Sequence, residues 1–113
     1  MHSGQAERRS AERFAVNVPV AVRATDGSFE PETALTQDLS AKGIFFLMSA
    51  SPKEGARIEF TVTLPPEVTL TDPMRVNARG RVVRVMAGQS DRQVGVAATI
   101  DGYNSFIRLS RSL

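Results

Sequence analysis

The sequence predicts a mostly-β domain: a small antiparallel barrel of six short strands followed by a C-terminal α-helix. Apolar and polar residues alternate with a period of two in several short runs, turn-forming residues separate those runs at short intervals, and the last segment changes to helical spacing. At 113 residues and 42% hydrophobic content, the chain has the size of one domain and enough apolar material for a packed core.

From Phe14 to Arg23 the alternation is strict, with Phe14, Val16, Val18, Val20 and Val22 on one face and Ala15, Asn17, Pro19, Ala21 and Arg23 on the other. This is the pattern of a half-buried strand. Pro19 has no amide donor, so it belongs at an edge, at a bulge, or facing away from a neighbour. Asp26-Gly27 supplies a turn, a second strand runs through Ala34-Leu35-Thr36 to Leu39, and the chain bends from Ser40 to Gly43. The following run, Ile44-Phe45-Phe46-Leu47-Met48, lacks alternation. As a strand it needs cover on both faces, one from the core and one from a helix or a partner surface.

Ile58, Phe60, Val62 and Leu64 alternate with Glu59, Thr61 and Thr63 until Pro65-Pro66 stops the strand. Between Arg75 and Met86 the apolar phase switches from Val76, Ala78 and Val82 to Val83 and Val85. Beside Gly80, that switch predicts a bulge or a barrel corner. Gly88-Gln89-Ser90-Asp91 is a polar turn, and Val94, Val96, Ala98 and Ile100 make the last strand. Tyr103, Phe106, Ile107 and Leu113 recur at helical spacing, Asp101 can cap, and Arg108 and Arg111 suit the negative end of the dipole. A helix over 101–113 is therefore expected, placed to cover the Ile44 to Met48 strand.

Composition excludes several functions. The formal net charge is only +2 despite a pI near 9.7, a poor footprint for general DNA or RNA binding. The chain has no cysteine, so disulfides, thiolate metal sites and a cysteine nucleophile are excluded. No run approaches the ~18 apolar residues that span a bilayer, and the N-terminus lacks the apolar core of a signal peptide. The expectation is a cytoplasmic protein without membrane insertion. His2 is the only histidine, and it falls in a polar tail, residues 1–6, that is set apart from the fold. Asp26, Glu30 and Glu32 flank turn residues and read as a solvated loop. Without a triad, a P-loop or a metal-type ligand cluster, no catalysis, metal or cofactor is expected. Phe14, Phe45, Phe46 and Phe60 read as core residues and not as base-stacking ones.

Two polar stretches at strand edges carry the chemistry. Arg8-Arg9-Ser10-Ala11-Glu12-Arg13 supplies guanidinium groups, which stack on bases and fork hydrogen bonds to phosphate or to guanine. Asp38-Leu39-Ser40-Ala41-Lys42-Gly43 supplies a carboxylate that can accept from a guanine edge and a hydroxyl for phosphate. Its glycine lets backbone approach a bulky ligand. The ordinary alternatives are a solvated charged lead-in for the arginines, self-bonded turn chemistry for Asp38 and Ser40, and a positive φ at Gly43.

Arg9-x-x-x-Arg13 followed by Asp38-x-Ser40-x-x-Gly43 resembles the paired signature of PilZ domains, bacterial receptors for cyclic di-GMP. The resemblance covers residues 7 to 113. It implies a PilZ-like barrel at 14–100, a ligand-binding arm at 7–13 and a helix at 101–113. It also implies that Arg9, Arg13, Asp38, Ser40 and Gly43 bind cyclic di-GMP. Arg8 lies outside the family pair; its guanidinium either stacks on a second molecule of a stacked ligand pair or points into water. On this reading the arm orders on binding and signals to a downstream protein whose identity the sequence does not give. The alternative is a PilZ-like protein-interaction module that binds no nucleotide and uses the Ile44 to Met48 strand or the C-terminal helix.

Overall fold

Inward and outward residues alternate along strands that the computed structural model resolves as follows, for described residues 13–90 and 92–109. The elements are β1 (Arg13–Phe14), β2 (Pro19–Ala24), β3 (Glu32–Ser40), β4 (Gly43–Met48), β5 (Arg57–Leu64), α1 (Pro66–Thr69), β6 (Met74–Ser90) and β7 (Gln93–Arg108). All pairings are antiparallel. The order β3–β2–β5–β6–β7–β4 closes on itself because β4 also pairs with β3. Closure removes the open sheet edges that invite aggregation. Six strands form the barrel, and β1 is a short addition to β3 beyond the end of β2.

The core follows from the alternation. Val20 and Val22 on β2, Ile44, Phe46 and Met48 on β4, and Ile58, Phe60 and Val62 on β5 point inward and are buried. Pro19 is exposed at the start of β2, where a missing amide costs no ladder bond. Pro65-Pro66 stops β5, and Pro66 opens α1, whose first turn needs no donor there. The helix ends at Leu70, which takes the left-handed conformation (φ 64°) and donates its N–H to Pro66 O at 2.7 Å.

Between β1 and β2 the chain leaves the ladder, and Thr36 repairs the gap. Its buried hydroxyl donates to Val16 O at 2.6 Å and accepts from Val18 N at 2.9 Å. The Thr36 carbonyl also accepts from Asn17 Nδ2 at 2.8 Å. One threonine thus satisfies the backbone groups that the interruption would orphan.

Two expectations are corrected. The segment read as a C-terminal helix is strand through Arg108: β7 pairs with β6 as far as Met74↔Arg108. Residues 110–113, with Arg111 and Leu113, lie outside the described residues. The physical reason is two bulges. Asp101 and Asn104 are extra residues on β7, and the second brings Tyr103 and Phe106, three apart as on a helix, to one face of a strand whose backbone remains paired, with their ring centroids 5.0 Å apart. Consequently no such helix covers β4. Its inner residues are fully buried, whereas Phe45 and Leu47 are half-buried on the outer barrel face. The expected phase switch on β6 is a bulge at Val83, which opposes no residue between the pairs Val82↔Ala98 and Arg84↔Ala97.

Candidate ligand-binding site

Asp38 owes its position to another bulge. Thr36 pairs with Phe46 and Asp38 with Phe45, leaving Gln37 as the extra residue on β3. Without it Asp38 would share the inward face of Thr36; with it, Asp38 pairs with outward Phe45 and is half-buried. Such re-aiming of a side chain is a characteristic use of bulges.

Ser40, Ala41, Lys42 and Gly43 form the hairpin turn between β3 and β4. The Ser40 hydroxyl accepts from Gly43 N at 3.2 Å and Lys42 N at 3.3 Å, and it lies 3.3 Å from Gly43 O as a donor. Ser40 is buried, and its turn chemistry holds the loop closed. Gly43 does not have a positive φ. Its requirement is room, because a Cβ there would lie 3.3 Å from Ala98 O. Two contacts from β7 brace the turn: Ile100 N donates to Lys42 O at 2.9 Å, and Tyr103 Oη donates to Ala41 O at 2.5 Å. Partial burial raises the Tyr103 pKa above its ordinary 10.0.

β1 brings the second stretch to this turn. Arg13 is in register with Ser40, and Phe14 with Leu39. Arg13, expected at the end of the arm, is therefore already strand-paired beside the hairpin, on β1 and opposite the end of β3 that carries Asp38. Arg8 and Arg9 lie outside the described residues. Beneath the turn is an apolar cavity of about 200 Å³, lined among others by Phe14, Leu39, Val62, Ile100, Tyr103 and Phe106. A larger groove of about 500 Å³ along β2, β5 and β6, of mixed lining that includes Arg23, Glu59, Phe60 and Asn77, contains none of the motif residues.

Sequence reasoning missed Tyr103 and Thr36. The helical spacing of Tyr103 hides its place on β7, and nothing in the spacing announces that a threonine hydroxyl will replace ladder bonds. Among the described residues, no helix is long and apolar enough to cross a membrane.

Fold and site define a class: a small closed antiparallel barrel that pairs a two-residue strand, Arg13–Phe14, beside a polar hairpin turn. The family model described as "PilZ domain" matches residues 7–110, and the chain belongs to the PilZ domain family. PilZ domains are generally receptors for cyclic di-GMP. Two solved structures share the fold. Against the Bacillus subtilis inhibitor of motility (MotI/DgrA) the TM-score is 0.69 at 17% identity, covering 87% of this chain and 44% of that one. Against the PilZ domain of CeSA from a cellulose-synthesizing bacterium it is 0.57 at 22% identity, covering 84% and 82%. The chain thus spans less than half of MotI/DgrA. None of the curated proteins searched matches it in sequence.

Proposed function

We propose that this domain is a cyclic di-GMP receptor whose Arg9, Arg13, Asp38, Ser40 and Gly43 form the nucleotide site. The observation that carries the reading is the β1–β3 register, in which Arg13 stands opposite Ser40 on the strand that also presents Asp38. Asp38 would accept from the guanine N–H groups, while the arginine guanidinium groups stack on the base and fork to its O6/N7 edge or to phosphate. Ser40 shapes the turn that the phosphates approach, and Gly43 keeps that approach open. Residues 7–12 would be fixed against the barrel by the ligand, and the altered surface would be read by a downstream protein. Arg8 would stack on a second ligand molecule.

Calorimetry with cyclic di-GMP, with GTP and a short oligonucleotide as controls, tests the assignment. Base stacking contributes ~1–3 kcal/mol and a charge-assisted hydrogen bond ~1.5–3 kcal/mol. Arg9→Ala or Arg13→Ala should therefore weaken binding at least about tenfold. Unchanged affinity in both variants would remove the arginines from the site, and silence toward every nucleotide would favour a protein-interaction module. For Arg8→Ala, the expected change is a stoichiometry falling from two ligands to one.

A further inference from the structure

Phe45 is an aromatic residue of β4 that lies outside the core and is paired with a residue of the ligand motif. Its sequence partner Phe46 is fully buried and fills the barrel, so the core's demand for an aromatic is already met there. Phe45 lies half-buried on the outer face, and its cross-strand neighbours are Asp38 on β3 and Ala97 on β7. Neither of these directly paired neighbours is an aromatic or a β-branched residue, the favourable cross-strand partners for an aromatic ring.

The pairing with Asp38 sets the distance. Directly opposed residues have Cβ atoms about 4.5–5.5 Å apart, which is the scale of half a purine. A base whose edge donates to the Asp38 carboxylate therefore has its face within reach of the Phe45 ring. We infer that Phe45 is the floor of the guanine site: the base stacks on its ring from the barrel side while its edge meets Asp38. This rests on the cyclic di-GMP reading and adds a residue that lies outside both motifs. It also gives the Gln37 bulge a function, because that bulge puts Asp38 and Phe45 on the same face.

The test is calorimetry of the full chain with cyclic di-GMP, comparing the wild type with Phe45→Ala, Phe45→Leu and Phe45→Trp. Phe45→Ala and Phe45→Leu should each lose affinity by about tenfold, the leucine variant retaining apolar bulk without a π face. Phe45→Trp should keep binding, and its emission should be quenched as ligand saturates, a signal that a merely structural position would not give. Unfolding midpoints near that of the wild type in the alanine and leucine variants would assign their loss to the missing ring. Wild-type binding with unchanged affinity in Phe45→Leu, or an unmoved emission in Phe45→Trp, would overturn the platform and leave the receptor reading standing. Absence of binding by the wild type would overturn both.

Discussion

Replacing Thr36 by valine should destabilise the domain far more than its size-matched shape suggests. The substitution keeps the volume but removes the hydroxyl that serves Val16 O and Val18 N across the β1–β2 gap. Both backbone groups then lose their partner in a part-buried setting. Each orphaned group costs about 1–3 kcal/mol when buried, so the pair costs roughly 2–4 kcal/mol after discounting for partial access to water. For a domain of this length that corresponds to a midpoint lowered by roughly 10–20 °C. Thr36→Ser is the control, since it keeps both hydrogen bonds and loses one methyl, about 1 kcal/mol. Urea titrations of the three proteins, followed by circular dichroism, would rank them wild type, serine, valine. A valine variant as stable as the serine variant would refute the claim that the hydroxyl holds this segment.

Three other perturbations follow from particular contacts. Gly80→Ala would put a Cβ 1.7 Å from Thr99 O, where only backbone movement relieves the clash; a loss of about 3 kcal/mol or more is expected in urea titration. At Leu70 the left-handed conformation costs a side-chain-bearing residue ~1–2 kcal/mol, and glycine returns ~0.4–1 kcal/mol of that through the unfolded state. Leu70→Gly should thus raise the unfolding midpoint by a few degrees, and a lowered midpoint would contradict the assigned strain. Tyr103 is the only tyrosine, so tyrosinate absorbance reports on it alone. Because burial raises its folded pKa, its contribution to stability is complete below the ordinary value of 10.0 and lost as pH rises through the folded pKa. The absorbance should accordingly titrate above pH 10.0 in the folded protein and move down on unfolding. Tyr103→Phe should abolish this alkaline step in stability.

The barrel was legible because most strands obey the two-residue period that burial imposes, as in Val20 and Val22 on β2 or Ile58, Phe60 and Val62 on β5. It failed where bulges insert a residue. Asp101 and Asn104 broke the period of β7 and made paired strand look helical, and the adjacent phenylalanines of β4 concealed an ordinary alternation with one aromatic facing out. The motif residues could be picked from sequence since their chemistry and spacing are local. Their arrangement could not, because the Arg13–Ser40 register and the outward turn of Asp38 depend on pairing between strands far apart in the chain.

The motif residues therefore divide by what a substitution can reveal. Ser40 is occupied in closing the hairpin, so a loss of ligand binding in Ser40→Ala would mix a collapsed turn with a missing phosphate contact. Gly43 has the same ambiguity, since any side chain there presses on Ala98 O. Asp38 and Phe45 sit on the outer face, where truncation leaves the core intact. A double-mutant cycle between them measures whether edge and face of one base are recognised together: residues that share a ligand couple, and independent ones add. Coupling in affinity but not in unfolding free energy would place both residues on the same guanine. Additivity in both would separate Phe45 from the nucleotide and make the outer face of β4 a surface for some other contact.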